Sequence, residues 1–285
     1  MFEVKDLVYR YPKNSEDTLK GLSFSIAKGE IFGFLGPSGA GKSTTQKILI
    51  KLLEKYHGSI VYDGKDLDHY NHSFYEDIGV CFEMPISFSK LTAMENLDFF
   101  LKLYKKNVDV EPLLKRVGLY QDKDKLVGEY SKGMKIRLNM VRALLNDPKM
   151  LFLDEPTNGL DPKNAKIIKD LIKEFKNNGG TVFLTSHIMA DVDELCDRVA
   201  FISDGVISEM DSPRNLKLKY GKKTVNVEYQ ENSHVQKEIF TMDEIKEQRF
   251  FDLIQSKNIE TIHSGETTLE EIFILVTGEK LHDET

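Results

Sequence analysis

The sequence predicts an α/β fold built on a parallel sheet, with an amino-terminal antiparallel β subdomain, an inserted helical subdomain and a small carboxyl-terminal α+β appendage. Three observations predict it. The opening residues alternate apolar and polar, as in FEVKDLVY and LSFSIA, which marks half-buried antiparallel strands. The runs GEIFGFLG and KMLFLD are apolar nearly throughout, as strands covered on both faces must be. Between Glu83 and Asp147 no strong strand pattern occurs, so helices interrupt the sheet there.

In chain order, GEIFGFLG gives the first buried strand, and GKSTTQKILIKLLEKY places Ile48, Leu49, Leu52 and Leu53 at helical spacing. GSIVYDG and DIGVCF supply two further strands, the first closed by an Asp-Gly turn. LTAMENLDFFLKLYKK, EPLLKRVGL and SKGMKIRLNMVRALLN read as the helices of the insert, about residues 84–147. Strand and helix then alternate again through MLFLDE, PKNAKIIKDLIKEFKNN, TVFLTS, IMADVDELC and RVAFIS. Beyond Ser212 comes the basic connector NLKLKYGKK, then TVNVEY, VQKEIF, a helix around MDEIKEQRFFDLIQ, the strand IETIHS and the helix TTLEEIFILV. This order predicts a main domain over residues 1–221 and an appendage over 222–285. Glu270 and Glu271 on the last helix read as a solvated face.

The 285 residues carry 39 Lys and Arg against 46 Asp and Glu, a net charge of −7 that argues against nucleic acid as a partner. Cys81 and Cys196 stand far apart without metal-ligand spacing and suit small apolar roles in a reducing compartment. The start MFEVKDLVYRY lacks the basic region and apolar core of a secretory signal. The apolar runs are also much shorter than the ~18 residues a membrane crossing needs. A cytoplasmic location is expected, and any membrane role requires a separate chain.

GPSGAGKST, from Gly36 to Thr44, matches G-x-x-x-x-G-K-[ST] between a predicted strand and a predicted helix. In that setting Gly36, Ser38, Gly39, Ala40, Gly41, Lys42, Ser43 and Thr44 form a backbone cradle for phosphate oxygens at a helix amino terminus. Lys42 is placed to reach the β- and γ-phosphates and the Ser43 hydroxyl to ligate Mg²⁺. KMLFLDEPTNGLDP drives a buried strand into Asp154 and Glu155. Two carboxylates at the carboxyl end of such a strand call for a cation or a proton. Asp154 is therefore assigned to Mg²⁺, and Glu155 to orienting and deprotonating the water that attacks the γ-phosphate. The fold class is then that of a P-loop NTPase.

GPSGAGKST, YSKGMK at Tyr130–Lys135, LFLDEPTNGLD and the lone His187 in LTSH occur in that order. Together they resemble the nucleotide-binding subunits of ATP-binding cassette (ABC) transporters, over Met1 to about Gly221. The resemblance implies a Mg²⁺-dependent ATPase whose two copies, expected as a homodimer, close head to tail on two ATP molecules and drive a permease encoded by a separate chain. It implies a peripheral place on the cytoplasmic face of the membrane. It also implies that Tyr11 stacks on adenine, that Ser131 and Gly133 face the γ-phosphate held by the opposite subunit, that His187 contacts the γ-phosphate, and that Asp161 couples the two sites. Read alone, Ser131 and Asp161 are helix caps.

Two departures from the family pattern stand out. The family commonly has Gln where this chain has Glu83, in GVCFEMP; a carboxylate there can face the metal and retune hydrolysis. YSKGM replaces the commoner Leu-Ser-Gly-Gly-Gln, bringing the Lys132 cation near the transferred phosphate. Similar Lys-Gly-Met loops, and endings like TLEEIFILVTG, occur in the drug, antibiotic and bacteriocin export type, which favours export. The segment MPISFSKL after Glu83 is the expected permease contact. The alternative is a soluble ABC ATPase of repair, translation or cofactor assembly; the paired cassettes, long coiled coils or basic arms usual in those acting on nucleic acid are not evident.

Overall fold

The structure is a computed structural model that describes residues 1–106, 108–231 and 234–279. Along the chain, β1 (Phe2–Tyr9) and β2 (Leu19–Ile26) precede β3 (Ile31–Leu35), α1 (Lys42–Leu49), β4 (His57–Tyr62), β5 (Lys65–Asp66), α2 (Phe74–Asp77) and β6 (Ile78–Cys81). The insert follows as α3 (Ala93–Leu101), α4 (Val110–Arg116) and α5 (Lys132–Ala143). β7 (Met150–Asp154), α6 (Pro162–Asn177), β8 (Thr181–Ser186), α7 (Met189–Leu195), β9 (Arg198–Ser203) and β10 (Val206–Asp211) complete the sheet region. Last come α8 (Pro213–Tyr220), β11 (Lys223–Glu231), β12 (His234–Thr241), α9 (Gln248–Ser256), β13 (Asn258–Glu266) and α10 (Leu269–Thr277).

The central sheet runs in the order β10-β9-β3-β8-β7-β6, with only β10 antiparallel to its neighbour. Its register sets the carboxyl ends of β3, β8 and β7 side by side, pairing Leu35 with Ser186 and Asp154 with Thr185. Every residue of β3, β7 and β8 is buried, as their unbroken apolar runs require. The smaller antiparallel sheet, β2-β1-β4-β5, packs against it through Phe24 on Phe32, stacked with ring centroids 5.6 Å apart, and Phe2 edge-on to Phe152 at 5.9 Å. Each such buried ring is worth on the order of 1.5–3 kcal/mol.

Two local expectations are corrected. The alternation of β1 breaks at Asp6, which takes a left-handed φ of 50° in an irregularity between Val4 and Leu7 and donates its N–H to Ser23 Oγ at 2.9 Å. The helical spacing through Leu52 and Leu53 stops short, because α1 ends at Leu49. Lys51 turns left-handed at φ 58° while the Leu52 N–H bonds the Lys47 carbonyl, a Schellman-type stop that leaves Leu52 56% exposed.

The chain divides into two compact units, Met1–Asp211 and Ser212–Gly278. The expected boundary at residues 221 and 222 thus falls inside the second unit, since α8 packs on α10. In that unit the antiparallel sheet β12-β11-β13 buries Val227, Tyr229 and Phe240 with Leu253 of α9. Glu271 is more than a solvated residue: its carboxylate accepts the Thr268 N–H at 2.7 Å, and Thr268 Oγ1 accepts the Glu271 N–H, a capping box that starts α10. Residues 280–285 of the expected appendage lie outside the described residues.

Candidate nucleotide site

Between β3 and α1 the glycine-rich loop wraps a cavity of about 400 Å³. Its near wall is Ser38, Gly39, Gly41, Lys42, Ser43 and Thr44, and its far wall is Glu83, Asp154, Glu155 and His187 from strand ends. Four segments spread from residue 38 to residue 187 meet there because the parallel register aligns their strands. Gly36 and Ala40 are buried behind the cradle. A Cβ on Gly36 would stand 2.1 Å from the Ile202 carbonyl oxygen, so only glycine lets the loop leave β3 against β9. Gly41, at φ 110°, turns the chain into α1, whose first residues Lys42, Ser43 and Thr44 line the cavity.

Lys42 Nζ donates to the carbonyls of Gly36 at 2.6 Å and Pro37 at 3.0 Å. Burial pulls its pKa below the ordinary lysine value, against the opposing pull of the Glu155, Asp154 and Glu83 carboxylates. A phosphate oxygen can replace those two carbonyls and supply the counter-charge that burial denies.

Asp154 ends β7 with 8% exposure, and Thr185 Oγ1, opposite it on β8, donates to its Oδ1. Glu155 follows in a left-handed conformation at φ 50°, rare for a residue with a side chain and here held by its N–H to the Thr185 carbonyl at 3.0 Å. That turn sends its carboxylate to the cavity instead of into the next strand residue's place. His187 Nδ1 lies 2.9 Å from Glu155 Oε1, while the His187 N–H and the Ser186 hydroxyl each donate to Oε2 at 3.3 Å. Thr185 and Ser186 were not among the expected site residues. Their signal was two hydroxyls just before His187 in an otherwise apolar strand, TVFLTS.

The Tyr11 hydroxyl sits 3.2 Å from Thr44 Oγ1, and its ring meets Tyr9 edge-on at 5.1 Å. Ser131 and Gly133 lie apart from this cavity, at the start of α5, where Ser131 Oγ accepts the Met134 N–H at 3.2 Å. Asp161 caps α6 by accepting the Asn164 N–H at 3.0 Å, a bond that lowers its pKa. Among the described residues no group of three or more His, Cys, Asp or Glu could hold a metal by itself. The Ser43 hydroxyl, Asp154 and Glu83 instead form a sparse oxygen set on one cavity, which fits Mg²⁺ that completes its shell with phosphate and water.

A glycine cradle on a helix start, facing two acids at the end of a buried parallel strand, defines a P-loop nucleoside triphosphatase. A family model described as ABC transporter matches residues 19–158, and one described as fluoroquinolone efflux ABC transporter C-terminal domain matches residues 223–266. A fluoroquinolones export ATP-binding protein of Mycobacterium tuberculosis is 48% identical over 99% of this chain and 94% of its own length. A lantibiotic transport ATP-binding protein of Streptococcus pyogenes is 36% identical over 76% of this chain and 94% of its own. Among solved structures, an ATP-binding subunit of an ABC transporter superposes with a TM-score of 0.71 at 28% identity, covering 77% of this chain and 93% of the other. An ATP-binding cassette solved as a dimer in a post-hydrolysis state with ADP and Pi gives 0.67 at 26% identity, covering 74% and 98%. The chain belongs to the ABC transporter family. Among the described residues no helix is long and apolar enough to cross a membrane.

Proposed function

We propose that the chain hydrolyses MgATP as one of two identical subunits that close on a separate membrane permease and power export of a small drug-like compound. The carrying observation is the single cavity that joins the glycine cradle to Glu155 and His187. Lys42 leaves the Gly36 and Pro37 carbonyls for the β- and γ-phosphates, and Tyr11 stacks on the adenine ring. Ser43, Asp154 and Glu83 are the residues that would hold Mg²⁺, which when bound neutralises charge on the phosphates. Glu155 orients a water for in-line attack on the γ-phosphorus and takes its proton, as the bond to the bridging oxygen breaks and ADP leaves. His187 fixes the Glu155 carboxylate through Nδ1 and turns toward the γ-phosphate as the site fills.

Ser131 and Gly133 present the amino terminus of α5 to the γ-phosphate of the second subunit. Asp161, at the head of α6, links the two sites. Met84, Ile86 and Phe88 are 79%, 62% and 46% exposed, an apolar strip suited to the permease. The 48% identity to a fluoroquinolones export ATP-binding protein and the matching C-terminal region support a drug-like cargo. Single-turnover phosphate release by the purified chain, alone and with the permease from the adjacent gene, tests the reading. Release that depends on Mg²⁺ and disappears in Glu155→Gln supports it; MgATP binding with no release under either condition refutes it.

A further inference from the structure

Asn139 lies on α5, the helix whose start carries Ser131, and is 3% exposed. Its Nδ2 donates to the Phe82 carbonyl at 2.8 Å and to Cys81 Sγ at 3.1 Å, across 57 and 58 residues of sequence. One turn later Arg142 donates to the Ile86 carbonyl and spreads over the Phe100 ring, its guanidinium 5.0 Å from the centroid. The two side chains therefore clip the backbone on either side of Glu83 to one face of α5. Phe82 and Glu83 share a peptide plane, so the bond to the Phe82 carbonyl also fixes the direction in which Glu83 leaves β6. Glu83, exposed and lining the phosphate cavity, has no comparable restraint of its own side chain among the described contacts.

The other end of the amide is incompletely satisfied. Asn139 Oδ1 is buried without a hydrogen-bond partner. Beside Asn139, Asn96 and Phe100 lies a cavity of about 10 Å³, the space of one water. Asn96 in turn holds the Phe88 N–H and carbonyl, at 2.8 and 3.0 Å. An apolar side chain at 139 would fill the same volume but leave the Phe82 carbonyl without its amide donor, so the amide serves to hold this stretch of backbone and not packing alone.

We infer that Asn139 is a positioning residue for the reaction: through the Phe82 carbonyl it sets where the Glu83 carboxylate stands against the phosphates, and ties that position to the helix that Ser131 begins. This rests on the proposed role of Glu83 at the phosphates. Asn139 touches neither nucleotide nor metal. Its effect on turnover must pass through Glu83, whereas a packing defect would act whether or not Glu83 were present.

The test is a double-mutant cycle in the full chain, with Asn139→Leu and Asn139→Ala each made in the native and the Glu83→Ala background; Leu keeps the core filled if Ala weakens folding. Asn139→Leu should lower single-turnover phosphate release about tenfold with the KM for ATP changed less than about twofold, and should cost less than about twofold in the Glu83→Ala background. Equal losses in both backgrounds overturn the inference. Amide hydrogen exchange supplies a readout free of catalysis: residues 82–86 should exchange faster in Asn139→Leu than in the native chain, and unchanged exchange overturns the inference even if the native chain releases no phosphate. Absence of native release refutes the proposed ATPase reading alone.

Discussion

His187 Nδ1 stands 2.9 Å from Glu155 Oε1, so the residue assigned to the γ-phosphate is in direct contact with the proposed general base. With Oε2 taken by Ser186 Oγ and the His187 N–H, both oxygens of the carboxylate are oriented by one segment of chain. Pre-set orientation of this kind lowers the reorganisation needed when the water attacks and gives up its proton. Glu155→Gln should bind MgATP normally and lose at least ~100-fold in phosphate release, and His187→Ala should lose at least ~10-fold. Rapid-quench phosphate assays with a nucleotide-binding control check both.

Thr185→Val keeps the shape of β8 but removes the hydroxyl that donates to Asp154. A buried carboxylate left short of a donor should cost ~1–3 kcal/mol. Urea denaturation should show a lower midpoint at unchanged slope, and the Mg²⁺ concentration that half-saturates ATPase activity should rise.

Lys42 carries the opposite expectation, since burial lowers its pKa from 10.5. Below its native pKa the folded chain bears the full cost of a buried cation. As pH rises from that native value toward the unfolded 10.5, the unfolded chain holds more protons and the cost is relieved, so this residue makes stability climb with pH in that window. Lys42→Met should abolish ATP binding, raise nucleotide-free stability by ~1 kcal/mol and flatten this alkaline rise. Thermal unfolding at a series of pH values measures all three with a binding assay.

Gly36 and Gly39 separate close approach from backbone strain. Alanine at 36 meets the Ile202 carbonyl at 2.1 Å and should cost more than ~3 kcal/mol or prevent folding. Alanine at 39 meets nothing within 4 Å, and its penalty is the left-handed φ of 85°, about 1–2 kcal/mol. Denaturation midpoints should rank them in that order.

Glu83 adds a carboxylate to a cavity already holding Asp154 and Glu155. Glu83→Gln removes a negative charge near the γ-phosphate and should change turnover several-fold while weakening Mg²⁺ half-saturation. Unchanged turnover and unchanged Mg²⁺ dependence would show that Glu83 does not face the metal.

Much of the site could be read before any coordinates because its parts are contiguous. Gly39 and Gly41 serve the loop's own left-handed φ angles next to the helix it opens, and Asp154 and Glu155 end one apolar strand. Local rules act over a few residues, so spacing carries them. The same rules placed Ser131 and Asp161 as caps, and both do cap helices. They erred where a turn overrode periodicity, as at Lys51, whose left-handed φ ended α1 before Leu52.

Other contacts had no local signature. Thr185 reaches Asp154 across 31 residues because β7 and β8 pair in that register, and a shift of one residue would point the hydroxyl to the opposite face of the sheet. Asn139 reaches Phe82 across 57 residues because α5 packs on β6. Helical periodicity alone marks Asn139 as a polar residue on a buried face and names no partner. Short-range order in the chain dictated the cradle and the acids; strand register and helix docking, which depend on packing between distant segments, chose what holds those acids in place.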